Sequence, residues 1–213
     1  MISVYYCIYT PGCGSAGDAA RMEHRLGRSL LAGGLEKITG YRWSPEELER
    51  SLSFSDSGKP MLPAFPAVHF NITHCEGLAA CAFAGSPVGL DAEVIGAYVP
   101  ILEKKVLSDP ERTFLEGNKD PAMRREWFHR LWTLKEAYVK MTGSGLDTDL
   151  HSFSFSFDPA GSSCRHPICS DDSTACWQTI LPGGRILSLC TSKQEKENSD
   201  PVLIPVQSAL LQL

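Results

Sequence analysis

No stretch of the sequence approaches the roughly 20 consecutive apolar residues that a membrane-crossing helix needs, so no membrane role is expected. The apolar start, Met1 to Tyr9, carries no Lys or Arg and is broken at Pro11-Gly12. It reads as a first strand rather than a signal peptide. The eight cysteines stand at 7, 13, 75, 81, 164, 169, 176 and 190 with no Cys-x-x-Cys and no paired Cys/His cluster. That pattern speaks against zinc and against a disulfide framework, and it predicts a reduced, cytoplasmic protein. Cys75 and Cys81 sit in an apolar, strand-like stretch, as buried free thiols do. An excess of positive charge is missing too: the formal net charge is −5 and the isoelectric point is near 5.7. This argues against a nucleic-acid backbone binder, so an anionic ligand would need a local site. The Gly-rich loop from Pro11 to Gly17 lacks the Gly-Lys-Ser/Thr ending of a phosphate-binding loop and reads as a plain turn.

What is present describes an ordinary globular chain. It has 213 residues, 43% of them hydrophobic and 21% charged, enough for one large domain or two small ones with a real core. The most informative stretch is Trp132-Thr133-Leu134-Lys135-Glu136-Ala137-Tyr138-Val139-Lys140, followed by Gly143-Ser144-Gly145-Leu146. Leu131, Leu134, Tyr138 and Met141 recur at helical spacing and make an apolar stripe. Gly143 supplies a left-handed stop. Trp132, Glu136 and Lys140, each four apart, form a second row. Beside a tryptophan on so apolar a helix, that charge pair is expected to be partly buried and to want a metal or phosphate partner. Lys135, on another face, reads as a solvated charge.

In chain order, Asp18 is the expected cap of a helix from Ala19 to about Lys37, which carries Arg21, Arg25 and Arg28 on one face. Ser44-Pro45-Glu46-Glu47 starts a short helix. A turn at Phe54 to Pro60 fixes Lys59 between Gly58 and Pro60. Strand signals follow at Ala67 to Ile72, Leu78 to Ala84 and Val88 to Glu93. Asp91 and Glu93, two apart on a strand, point to one face. Past a link at Gly96 to Pro100, helices are expected near Leu102 to Phe114 and from about Arg124 to Met141. Strands are expected at Phe153 to Phe157, where Phe alternates with Ser, and at Ala175 to Leu181 and Arg185 to Thr191. The stretch from Lys193 to Asp200 is polar and expected to be mobile, with a short apolar end beyond it. Each half thus reads as one long helix followed by about three antiparallel strands, although no repeat is visible letter by letter. Asp91 and Glu93 would close the first half's strand set. If the halves pack side by side, these acids could meet the Glu136/Lys140 row at the seam, where clefts form. Asp91, Glu93 and Glu136 together would make an all-oxygen site suited to Mg²⁺, with Lys140 one turn away for phosphates.

Five segments, in order, resemble the Sfp-type 4′-phosphopantetheinyl transferases: Gly58-Lys59-Pro60, Asn71-Ile72-Thr73-His74, Val88-Gly89-Leu90-Asp91-Ala92-Glu93, Trp132 to Lys140 with Gly145-Leu146, and Ser152-Phe153-Ser154-Phe155. Thr73 and Cys75 stand where that family commonly has Ser, and Ala92 stands where it often has a larger hydrophobic residue. The resemblance implies an α+β fold, pseudo-twofold, with two similar subdomains, each a long helix on a small antiparallel sheet. The division is expected at 1–96 and 97–213. It implies a monomer that binds coenzyme A with Mg²⁺ or Mn²⁺ between the halves. The 4′-phosphopantetheine arm would pass to a serine of an acyl, peptidyl or polyketide carrier protein, releasing 3′,5′-ADP. Carried over by position, Asp91, Glu93 and Glu136 are the metal-site acids and Lys140 touches the diphosphate. Glu136, or a water it orients beside the metal, is the candidate general base. Lys59, Pro60, Thr73 and His74 are expected to hold the nucleotide and its 3′-phosphate, with Arg21 the candidate from the arginine row. The alternatives are a catalytically silent module that binds coenzyme A or a carrier, and a Mg²⁺-dependent phosphohydrolase. The presence of all three acids and the lysine weighs against the silent module.

Overall fold

The strand Leu78–Ala84 (β5) is buried along its whole length because both of its faces are covered. Leu78, Ala80, Ala82 and Ala84 point to one side and Ala79, Cys81 and Phe83 to the other. A computed structural model describes residues 1–12, 15–97, 100–158, 165–193 and 200–207, without the side chain of Leu146. Most of the stretch expected to be mobile (194–199), the apolar end (208–213), Cys13, Cys164, residue 14 of the Gly-rich loop and the middle of the 96–100 link lie outside the described residues.

β5 lies inside a four-stranded sheet with Ser3–Ile8 (β1), His69–Cys75 (β4) and Val202–Pro205 (β11), in the order β11-β1-β5-β4. Ala16–Thr39 (α1) covers one face, laying Leu26, Leu30, Leu31 and Leu35 against Phe70, Ala79, Cys81 and Phe83. The cap of α1 is Ser15 rather than Asp18. Asp18 sits three residues in and completes a capping box with Ser15. Pro45–Ser51 (α2) and the two-residue strands Ser53–Phe54 (β2) and Pro60–Met61 (β3) follow; β2 and β3 pair as a hairpin.

A second, three-stranded sheet has the order β6-β10-β9, from Val88–Val94, Arg185–Ser192 and Thr174–Leu181. Its outer face is covered by Pro121–Thr142 (α5) through Leu131, Leu134, Ala137 and Met141. Its inner face meets the first sheet, with Leu90, Ala92, Trp177, Leu187 and Leu189 packed on Val4, Ala80 and Ala82. The layers therefore run helix, sheet, sheet, helix, in keeping with the α+β expectation of a long helix on a small sheet in each half.

Further local expectations change. β6 does not close the first sheet; it pairs antiparallel with β10. The turn at Gly85 to Pro87 carries the chain from one sheet to the other, which a sequence cannot tell from a hairpin. The single helix expected at 102–114 is two, Glu103–Val106 (α3) and Asp109–Gly117 (α4). Ser108 caps the second, and Pro110 in its first turn sets the break. Only Phe155–Ser156 (β7) of 153–157 is strand, pairing with Ile168–Cys169 (β8), because the Phe153 carbonyl accepts from Lys135 instead. β11, unforeseen in the tail, pairs in parallel with β1. Among the described residues no helix is long and apolar enough to cross a membrane.

At Gly89 the second sheet and α5 lie backbone to backbone. A Cβ there would fall 1.9 Å from the Ala137 carbonyl oxygen and 2.3 Å from the Met141 nitrogen. Both obstacles are backbone, so no side chain can give way. Gly89→Ala is therefore expected to lose about 3 kcal/mol or more in urea unfolding. A loss below about 1 kcal/mol would show that the spacing between β6 and α5 is slack.

Candidate active site

β4 and β6 are edge strands of different sheets, and side chains stitch them together. Asn71 Oδ1 accepts from the Leu90 N–H at 2.8 Å and Thr73 Oγ1 from the Ala92 N–H at 3.1 Å. The pleat that turns Leu90 and Ala92 into the core turns Asp91 and Glu93 to the opposite face. There they meet α5, whose 132/136/140 row points the same way. Asp91, Glu93, Glu136 and Lys140 line one cavity of about 320 Å³, with Trp132, Thr73 and His74 in its walls. Residues far apart in the sequence thus converge where the two sheets and α5 meet.

Charge in this cavity is unevenly matched. Lys140 donates to Asp91 Oδ1 at 2.6 Å, so its partner is Asp91 across the seam rather than Glu136 on its own helix. Asp91 is buried and its Oδ2 has no hydrogen-bond partner. Burial raises the Asp91 pKa, with Lys140 opposing. Burial and then the charge of Asp91 raise Glu93 and Glu136. Trp132 Nε1 donates to Glu93 at 3.4 Å. One ammonium thus serves three carboxylates, which leaves room for a second cation. Among the described residues, no three His, Cys, Asp or Glu side chains are already gathered closely enough to hold a metal. The orphaned Asp91 oxygen and the two raised carboxyls nonetheless fit a divalent ion that completes its shell with water and phosphate oxygens.

The nucleotide contacts expected from the sequence divide. Thr73 and His74 lie on the cavity. His74 Nδ1 is 3.3 Å from Glu23 on α1, and Glu23 is held in turn by the Tyr9 hydroxyl at 2.7 Å. Sequence reading missed Glu23. The available signal was a carboxylate on the face of α1 that also carries Leu26, Leu30 and Gly34. Arg21 pairs with Asp18 on the exposed side of α1. Arg25 and Arg28 line a groove on that helix's outer side with Trp43 and Leu48, where Arg28 meets Glu49 at 2.8 Å. Pro60 sits in the β2–β3 hairpin. Lys59 donates to three backbone carbonyls instead of lining the cavity. Lys135, expected in solvent, is fully buried and pairs with Glu111 at 2.9 Å. A polar cluster underneath, Thr133, Ser188 and Gln178, ties α5 to β9 and β10.

Compared with known proteins, residues 87–192 match the model of the 4′-phosphopantetheinyl transferase superfamily. A 4′-phosphopantetheinyl transferase from Bacillus subtilis is 36% identical over 104 residues, covering 49% of this chain and 46% of the relative. The 4′-phosphopantetheinyl transferase Sfp of Bacillus subtilis (strain 168) is 32% identical over 128 residues, 60% of this chain and 57% of the relative. A third, ffp of Bacillus subtilis, is 34% identical over 129 residues, 60% of this chain and 57% of that protein. The chain spans about half the length of the curated relatives it matches.

Proposed function

This chain belongs to the 4′-phosphopantetheinyl transferase superfamily, and from that premise we propose that it moves the 4′-phosphopantetheine group of coenzyme A onto a serine of a carrier protein. The observation that carries the proposal is the convergence of Asp91, Glu93, Glu136 and Lys140 on one cavity walled by Thr73 and His74.

In the proposed reaction the serine oxygen attacks the β-phosphorus of coenzyme A. The bond from that phosphorus to the bridging oxygen breaks, and 3′,5′-ADP leaves with the electron pair. A divalent cation held by Asp91, Glu93 and Glu136 would neutralise the diphosphate. Lys140, poised at the cavity edge against Asp91, contributes a second positive charge to the oxygens on which charge builds. Glu136, on the cavity beside Asp91 and Lys140, is placed to take the serine proton directly or through a water; without a cation bound, burial and then the charge of Asp91 raise its pKa. His74, steadied by Glu23, is suited to the nucleotide side. The carrier supplies the nucleophile, so no serine–histidine pair is needed in this chain. The division at residue 96 and action as a monomer belong to the same proposal. A reducing, cytoplasmic setting belongs to the same proposal, on the lack of any Cys-x-x-Cys spacing in the sequence.

The test is incubation with coenzyme A, Mg²⁺ and an apo carrier protein, read by mass spectrometry of the carrier. The expected result is a gain of one phosphopantetheine. Cleavage of coenzyme A with an unmodified carrier would instead identify a phosphohydrolase. Binding with no chemistry would identify a silent module.

A further inference from the structure

Lys59 meets partners that its motif does not announce. Its backbone is locked in a turn: Gly58 N–H donates to Ser55 O at 2.8 Å, Ser55 N–H to Lys59 O at 3.0 Å, and Lys59 N–H to Ser55 Oγ at 3.0 Å. From this base the side chain reaches the seam between the second sheet and α5. Nζ donates to the carbonyls of Val88 at 3.1 Å, Lys140 at 2.6 Å and Met141 at 2.9 Å. An ammonium has three protons, and here each has an acceptor.

The acceptors explain the arrangement. α5 ends at Thr142, so the carbonyls of Lys140 and Met141 belong to the last turn, which has no following helical N–H to meet them. They also form the negative end of the helix dipole. Lys59 therefore caps this helix from a distant segment. The third bond, to Val88, takes in the start of β6, three residues before Asp91. The same turn packs on the chain that leaves α5, since a Cβ at Gly145 would lie 3.2 Å from Ser57 Cβ. Burial lowers the Lys59 pKa to about 8, so the group keeps its third proton at neutral pH.

We propose that Lys59 is a positioning residue, a three-way clamp that fixes the end of α5 against the start of β6 and so sets Lys140 against Asp91, rather than a group that touches the nucleotide. As a reading of mechanism it rests on the proposed transferase function; as a statement about the seam it does not.

The test compares wild type with Lys59→Met, using coenzyme A and dephospho-coenzyme A, which lacks the 3′-phosphate. A clamp predicts a fall in kcat/KM of about tenfold or more with both donors, and an unchanged preference between them. It also predicts faster amide hydrogen exchange at 88–90 and 140–143, with no change in α1. In a Lys140→Ala background the further loss from Lys59→Met should shrink to about threefold or less, because the two act as a unit. A collapse of the preference for coenzyme A would overturn the proposal by making Lys59 a 3′-phosphate ligand. Losses that multiply in the double variant, or unchanged exchange at the seam, would also overturn it. If Lys59→Met does not fold, Lys59→Gln and Lys59→Arg, which keep donors at that place, carry the same comparison. Wild-type protein that transfers from neither donor would sink the transferase reading, while the exchange data would still decide for or against the clamp.

Discussion

Asp91→Asn is expected to lower the transfer rate on the order of 10³-fold, about 4 kcal/mol of transition-state stabilisation, without unfolding the protein. Asparagine keeps the shape of the side chain, and its oxygen can still accept from Lys140. What it lacks is the second anionic oxygen, the buried Oδ2 that no described group satisfies. The fall should appear in kcat at saturating coenzyme A, because the missing charge matters most as charge builds on the diphosphate. Glu136→Gln should match it for a different reason, loss of the proton acceptor. The stability of the variant separates these effects from misfolding. Burial raises the Asp91 pKa, so between the ordinary carboxylate pKa and the folded one the folded state holds a proton that the unfolded chain has lost. For an acid shifted this way, stability is greatest below the ordinary carboxylate pKa and falls as pH rises through the folded value. Asp91→Asn removes that loss, so at pH 7 it should melt at or above wild type, and Mg²⁺ should raise its melting temperature less than it does for wild type. Full activity in either variant would refute the assignment of the acids.

How much of this was legible beforehand depended on whether the determining contact was local. The helix expected from about Arg124 to Met141, and its stop, were legible: apolar spacing and a glycine are local signals, and Gly143 caps it with φ 69°, although the helix begins earlier, at Pro121. The meeting of Asp91, Glu93 and Glu136 was legible as a possibility, because period two on a strand and period four on a helix each fix a face. The partner of Lys140 was not. On the helix Glu136 is its natural neighbour, whereas the fold brings in a strand carboxylate 49 residues away. The sheet membership of β6 was hidden for a related reason. A short turn between two apolar strands signals pairing, and nothing in Gly85-Ser86-Pro87 announces that the chain changes layers. Lys59 shows the limit of motif reading. The segment Gly58-Lys59-Pro60 marked the residue as important, but the three carbonyls that its ammonium meets are presented only by the folded chain. In Asn71-Ile72-Thr73-His74 the same split occurs within four residues: Asn71 and Thr73 stitch strands together, while Thr73 and His74 lie on the cavity.

The largest loss of stability is expected at Glu111→Ala, a residue with no signal in the sequence. Glu111 and Lys135 are fully buried and 2.9 Å apart, and each is also bonded to backbone. Glu111 accepts from the N–H of Ser108 and of Phe155, both at 2.8 Å. Lys135 donates to the carbonyls of Leu150 and Phe153, both at 2.6 Å, and lies over the Phe153 ring. The pair thus anchors the loop after α5 and the start of α4 to the residue that precedes Glu136. Removing the carboxylate strands a buried ammonium, and breaking such a pair costs about 3–5 kcal/mol; urea unfolding should show it. Replacing both members by apolar side chains, Glu111→Leu with Lys135→Met, should recover a large part, because the penalty lies in the uncompensated charge and not in the absence of attraction. The variant should also acquire a pH dependence. Burial lowers the Lys135 pKa and Glu111 opposes that shift, so without Glu111 the lysine sheds its proton at lower pH than in wild type. The unfolded chain then binds more protons than the folded one over a wider range, and stability must climb with pH there. Between pH 7 and pH 9 the deficit of Glu111→Ala relative to wild type should therefore narrow. A deficit below about 1 kcal/mol at pH 7 would mean that water or a rearranged loop already satisfies Lys135, and that the pair does not hold the helix of Glu136 in place.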